Sequence, residues 1–295
     1  MLTPTPLRPP LRTLIAVALG VALLTACSSE TTPDVRTGPK PYTAAEQAQI
    51  KTATSDYTRF VHGELAGLVT QTEEFVDAIK AGDDDKARAI YPNARARWER
   101  VETIAAQFGD LDPAIDAREA GLAKGEEWTG WHRLEKDLWP ARAQNYRALT
   151  DAERARLADK LLADTKTIVR QGRHLKLTAT DIVEGSQGLL EEVAGGKVTG
   201  EEEYWSRTDL WDFQANLDGA WKGFDLLQPV IEGRDAKLAK KIDYQFGAVQ
   251  GLLDATKKGD EFVTYDKLTR AQVKALSDAV NALGESLAQL SAVLP

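Results

Sequence analysis

The sequence predicts an all-α protein, and three observations carry that expectation. Apolar residues recur at the three- and four-residue spacing of one helix face along most of residues 42–295. Thr–x–x–Glu capping boxes open two of those runs, and Gly or Pro closes several. No segment sustains the apolar–polar alternation of a strand.

The segments preceding the helical region set the compartment. Arg8 and Arg12 form a positive start, and Leu14 to Leu24 is an apolar run broken only by Gly20. That run has the length of a signal-peptide core and is too short to span a bilayer. It ends in Leu24-Thr25-Ala26-Cys27, and Cys27 is the only cysteine. A lone cysteine after small residues resembles a bacterial lipobox, so lipidation of Cys27 is expected, with membrane anchoring by acyl chains rather than by a helix. Residues 28–41 are rich in Ser, Thr, Pro and Gly and read as a flexible tether. The net charge is −8, and loss of residues 1–27 removes two arginines and no acid, which brings it to −10. With no basic run, nucleic acid is excluded as a partner. The balance suits capture of a cation.

Thr43-Ala44-Ala45-Glu46 opens the first helix, whose apolar face runs through Phe60, Leu65, Leu68, Phe75 and Ile79 to a stop at Gly82. Asp83 to Asp85 open the second, which is expected to run to about Gly109, with Pro92 placed to kink it. Asp112-Pro113 reads as an N-cap and first helical residue of a short helix around Ile115. Thr129 is expected to cap a helix that Pro140 closes. Thr150 to Glu153 is a second capping box, for a helix to about Gln171. Further helices are expected over about 180–194, from Ser206 or Thr208 to about Ile231, over 235–258 and over 269–294. Ala78–Asp83 (AIKAGD) and Ala255–Asp260 (ATKKGD) echo one another. The echo is either a common helix stop or the trace of a duplication giving two four-helix bundles.

Two short segments carry the candidate chemistry. Trp98–Glu102 reads WERVE and Trp131–Glu135 reads WHRLE. Residues three apart on a helix lie about 60° apart and share a face. His132 and Glu135 can therefore address one ion, as can Glu99 and Glu102. Ala94, Trp98, Val101, Ala105 and Phe108 form one expected buried stripe, and Trp131, Leu134 and Leu138 the other, each with a glutamate on its border. Carboxylates suit hard cations, and an imidazole adds affinity for transition metals and zinc. Two ordinary amphipathic helices would give the same pattern. His62 and His174 lack such company and are expected to be structural or solvent-facing. A cysteine nucleophile, a Gly-x-Ser-x-Gly elbow, a phosphate-binding glycine loop and a His-Glu-x-x-His helix are all absent. Trp128, Trp131, Trp139, Trp205 and Trp211 cluster around these segments, serving either a packed core or an aromatic surface for sugars.

Gly130-Trp131-His132-Arg133-Leu134-Glu135 is similar to the Gly-x-His-x-x-Glu signature of the imelysin-like family. The likeness continues through Asp110–Asp112, Ile115–Glu119, Leu190–Ala194, Lys197–Glu202, Thr208–Asn216 and Thr264–Leu268. Together these resemble its EfeO/EfeM branch of iron-uptake lipoproteins over nearly all of residues 42–295. The resemblance implies two four-helix bundles related by pseudo-duplication. It implies iron, ferric or ferrous, as the metal, with Zn2+ or Cu2+ as occupants in vitro. It nominates His132 and Glu135 as ligands, with Glu99, Glu102 and Asp116 nearby and Glu192 from the second bundle. It implies a membrane iron permease and a DyP-type haem peroxidase as partners. Some members bind acidic polysaccharide such as alginate. The family was first classed with peptidases, but one His among carboxylates lacks the two-His, one-carboxylate set common in zinc hydrolysis, so no enzyme is expected. The tether leads directly into the helical region, so the short form without a cupredoxin domain is expected.

Overall fold

The computed structural model describes residues 40–294. Cys27, the lipobox and most of the tether lie outside them. The first helix, α1 (Ala44–Ala81), begins as its sequence dictates. The Thr43 hydroxyl accepts the Glu46 amide, and the Glu46 carboxylate accepts the Thr43 amide at 2.6 Å. Gly82 ends it at φ 71°, a left-handed conformation that a side chain disfavours. Next, α2 (Asp84–Glu99) is capped by Asp83 and runs through Pro92.

Here the structure departs from the sequence expectation. The helix does not continue to Gly109. It stops at Glu99, and a 3₁₀ segment, Glu102–Phe108, follows with Ile104 outside helical geometry. No Gly or Pro lies at this break. Its cause is tertiary. Asn216 donates its side-chain amide to the Glu99 carbonyl at 3.0 Å, and the Tyr57 hydroxyl meets Thr103 Oγ1 at 2.6 Å. Gly219 admits the Arg100 carbonyl so closely that a Cβ there would stand 2.1 Å from its oxygen.

The remaining helices are α3 (Leu111–Asp116), α4 (Trp131–Leu138), α5 (Asp151–Gly172), α6 (Ala179–Gly195), α7 (Asp209–Asp254), α8 (Arg270–Leu287) and α9 (Leu290–Val293). Two caps differ from expectation. Pro113 is the third residue of α3, not its first. Thr129 does not cap α4. Its hydroxyl instead donates to the Ala114 carbonyl at 2.7 Å, and Gly130, at φ 86°, is the residue before the helix. The expected boundary at Asp235 falls inside α7, where φ −149° interrupts the helix and the Asp235 carboxylate recaps it through the Leu238 amide. A two-residue ribbon pairs β1 (Lys257–Lys258) with β2 (Glu261–Phe262). So AIKAGD ends a helix and ATKKGD turns a hairpin.

The architecture is all-α apart from that ribbon. Helix α1 packs on α2, α5 and α7, while α7 also packs on α2, α6 and α8, and α6 on α8. All residues of both expected stripes are buried. Among the described residues no helix is long and apolar enough to cross a membrane.

Candidate metal centre

The centre forms where α2, α3, α4, the 197–208 segment and the start of α7 meet. Its unusual feature is charge. Glu99, Glu135, Glu202, Glu203, Asp209 and Asp212 are buried, with Glu102 and Asp116 at its edge. Buried charge requires a partner. The cations available within the centre are Arg95, Lys197 and His132, all fully or almost fully buried.

Arg95, one turn before the end of α2, is the hub. Its guanidinium pairs with Asp116, Glu99 and Glu203 and lies 3.7 Å from Glu202 and from Asp212. Lys197 serves the other side. Its ammonium donates to Glu99 Oε2 at 2.7 Å and Glu102 Oε2 at 2.6 Å, and the Asn216 amide donates to the same oxygens at 2.8 and 2.9 Å. The WERVE glutamates therefore converge, despite the break between them, on an internal ammonium.

His132 has a different setting. Its Nδ1 faces Glu135 Oε2 at 3.3 Å. Its Nε2 lies 3.5 Å from Asp116 Oδ1 and 3.4 Å from Glu202 Oε1, yet makes no hydrogen bond. The second oxygen of Glu135 accepts the Trp205 and Ser206 amides at 2.8 and 2.6 Å, which fixes that carboxylate. The indole of Trp98 donates to Asp116 Oδ2 at 3.0 Å. Ser206 Oγ donates to Glu203 Oε2 at 2.8 Å, and Tyr91 donates to Glu203 Oε1 at 3.3 Å.

Protons respond to this imbalance. Burial and Arg95 push the His132 pKa down, but Glu135, Glu202 and Glu203 outweigh them and raise it to about 10. Burial and the Glu203 carboxylate lift Glu135 to about 7. Burial likewise lifts Glu102 and Asp212 well above the carboxylate range. Burial opposes Glu202 as well, but Lys197 and His132 prevail and hold it below that range.

Three donor groups in the centre can hold a metal ion: Asp116–His132–Glu202, His132–Glu135–Glu203 and Glu99–Glu102–Asp116, each with its donor atoms within 4.8 Å of one another. Only the first combines an imidazole with solvent access. A cleft of about 650 Å³ is lined by Glu102, Asp112, Asp116, Glu192 and Glu202, with Asp181 and Glu184 further along its wall. Burial and the Asp116 carboxylate raise Asp112 in this cleft to about 7.

A sequence profile of imelysin matches residues 53–290. The chain belongs to the imelysin family. An Efem/EfeO family lipoprotein of Staphylococcus haemolyticus strain JCSC1435 is 40% identical over 278 residues, covering 92% of this chain and 95% of the relative. Another, from Staphylococcus aureus strain MSSA476, is 39% identical over 251 residues, covering 84% and 86%. In keeping with these lipoprotein relatives, this imelysin-family chain is lipid-anchored and extracytoplasmic.

Within this imelysin-family chain, the residues nominated from sequence fall into three places. His132, Glu135 and Asp116 meet at the histidine. Glu99 and Glu102 are held by Lys197. Glu192 lines the cleft and belongs to none of the three donor groups. Sequence reasoning missed Arg95, Lys197, Glu202, Glu203 and Asn216 as members of the centre. One signal was readable. Asp209, Asp212 and Asn216 recur at helical spacing along the apolar face of α7, a polar stripe where a core face was due. The other two histidines are peripheral: His62 is exposed and its Nε2 meets the Gly172 carbonyl at 2.9 Å, and His174 is exposed.

Proposed function

We propose that this protein captures iron outside the cytoplasmic membrane and passes it to a membrane permease, in a system that includes a haem peroxidase. The observation that carries the proposal is the unsatisfied Nε2 of His132. It is a fully buried atom that faces two carboxylates, Asp116 and Glu202, both of which line the acidic cleft. Nε2 faces Asp116 and Glu202 without a short hydrogen bond to either, and an ion held among the three would take the place of its proton. Metal–donor bonds of about 2.0–2.2 Å place neighbouring donors about 3.0–3.5 Å apart, and Nε2 stands 3.4 and 3.5 Å from the two carboxylates. Asp116, His132 and Glu202 are the proposed contacts. Glu135 orients the imidazole through Nδ1, the outer-shell role a carboxylate commonly plays behind a ligating histidine. Oxygen-rich donors suit ferric iron, and the imidazole extends the range to ferrous iron, zinc and copper.

The reading includes the architecture: a lipidated signal over 1–27, a tether over 28–41 and a helical metal-binding domain over 42–295. Contacts of α1 with α2 and α5, and among α6, α7 and α8, with α7 also packed on α1 and α2, support a two-bundle arrangement within it. Binding of acidic polysaccharide is the competing function, but none of the seven tryptophans is fully exposed, which weakens the case for a broad indole platform. A peptidase reading is weaker still, since the centre offers one imidazole.

Calorimetric titration with Fe(III)-citrate, Fe(II), Zn(II) and Cu(II), in wild type and His132→Ala, tests the proposal. Saturable binding that His132→Ala weakens tenfold or more is expected. Binding that is absent, or unchanged by the substitution, returns both motifs to ordinary helix faces.

A further inference from the structure

Two clefts, not one, reach the centre. Besides the acid-lined cleft, a second of about 540 Å³ is lined by Glu119, Glu201, Tyr204 and Trp205. The two share two lining residues, Arg118 and Glu202. Glu202 turns one oxygen inward, 3.4 Å from His132 Nε2, and the other outward, 3.5 Å from the Arg118 guanidinium. One carboxylate thus belongs at once to the ion position and to the partition between the clefts.

Arg118 is held in an uneven way. The chain beside it is tied down on one side, where the Trp128 indole donates to the Ala117 carbonyl at 2.7 Å, and on the other the Glu119 side chain accepts Lys136 at 2.5 and 2.7 Å. Its guanidinium is about a third exposed, and its 3.5 Å contact with Glu202 exceeds the roughly 2.7–2.9 Å of a firm charge-assisted hydrogen bond. An anchored backbone with a loosely held, long, charged side chain is the arrangement of a swinging group. We propose that Arg118 is a gate: its guanidinium closes the partition by gripping the outer oxygen of Glu202, and its release opens the ion position to both clefts. This gives the ion two routes, so that loading and unloading can occur through different mouths.

The inference rests on the ion position proposed above, and the test separates the two. Stopped-flow tryptophan fluorescence with Zn(II), on wild type, Arg118→Ala and Arg118→Lys, gives association and release rates. An opened gate speeds both steps: at least fivefold faster association and faster release in Arg118→Ala, with Arg118→Lys in between. Loss of a nearby positive charge acts differently, since it speeds association and slows release. Faster association with slower release therefore overturns the gate, as do rates within twofold of wild type. A purely structural role for Arg118 lowers the melting temperature without speeding either step, and that result also overturns it. A wild type that binds no Zn(II) removes the ion position itself, and the gate with it.

Discussion

Trp98–Glu102 and Trp131–Glu135 are near copies in sequence and opposites in structure. Each plants a buried tryptophan in the core and brings its acidic or histidine side chains, though not its arginine, to the same centre. The histidine copy keeps its helix and presents an imidazole nitrogen that faces two carboxylates without a hydrogen bond to either. The glutamate copy loses its helix after Glu99, and both its carboxylates are satisfied by Lys197 and Asn216. The difference teaches that a ligand-type residue is more available to an ion the less completely the protein has supplied its counter-charge: Asp116 and Glu202 share Arg95 with other acids, whereas Glu99 and Glu102 hold Lys197 between them. On this account WHRLE binds cargo, and WERVE holds the protein's own cation.

The largest expected effect breaks or upholds this comparison directly. Glu99→Ala leaves Lys197 and Arg95 each short of a buried carboxylate, and breaking a buried pair costs about 3–5 kcal/mol. Its signature is lost stability in urea with ion affinity reduced by less than His132→Ala reduces it. His132→Ala gives the larger loss of binding, tenfold or more, and also lowers stability, because it takes a buried imidazolium away from Glu135 and Glu202. If Glu99→Ala abolishes binding and leaves stability intact, the two segments are equivalent ligands and the contrast is wrong.

Lys197→Met sharpens the comparison by removing the internal ammonium. Glu99, Glu102 and Asp116 already place donor atoms within 4.8 Å of one another, so their freed charge should attract a second ion. Zn(II) stoichiometry by calorimetry is expected to rise from one to two. Retention of one equivalent means that the second carboxylate set is unsuited to metal even when free.

Much of this fold is legible in the sequence. The boxes at Thr43 and Thr150, the stop at Gly82 and the interruption at Asp235 depend on residues within a few positions of one another, which is the range that pattern reading covers. The end of α2 is not legible, because it is imposed by Asn216, 117 positions away, and by Gly219. The same holds for the centre. Arg95 reads as one more charge on a helix bearing Arg97 and Arg100, and only packing shows that it is buried while they are partly exposed. Lys197 lies 98 positions from Glu99. His132 and Glu135 stood out because their spacing is local, whereas Glu202 and Glu203 lie on an irregular segment without periodicity.

A moderate effect concerns pH. In the metal-free protein Glu135 titrates at about 7 against an ordinary 4.5, and Asp112 and Asp209 at about 7 against 3.8. His132 titrates at about 10 against 6.5. Each binds its proton more tightly folded than unfolded, so raising the pH favours the unfolded state. The carboxyls lose their stabilising contribution as pH rises from about 4 to about 7, and His132 loses its own from 6.5 towards 10. The metal-free melting temperature is therefore expected to fall between pH 5 and pH 9. Metal must displace the His132 proton, so the stabilisation by saturating Zn(II) should grow over the same interval. Scanning calorimetry with and without Zn(II) checks both trends. A Zn(II) shift that shrinks with rising pH places the ion away from His132.

The smallest effect separates a ligand from a lining charge. Glu192 was nominated as a ligand through the family resemblance, but it lies on the cleft wall, where burial raises its pKa. A wall carboxylate acts on an approaching cation through the field of the cleft, which steers association and is screened by salt. A ligand acts through a bond, which salt barely touches. Glu192→Gln is thus expected to weaken Zn(II) binding by less than threefold at low salt, chiefly through slower association, and to match wild type at high ionic strength. A salt-independent loss of tenfold would make Glu192 a ligand and would enlarge the ion position towards α6. The histidine segment would then be one of two binding elements, and the contrast with WERVE would concern which residues lie within reach of the cleft rather than which carry an internal cation.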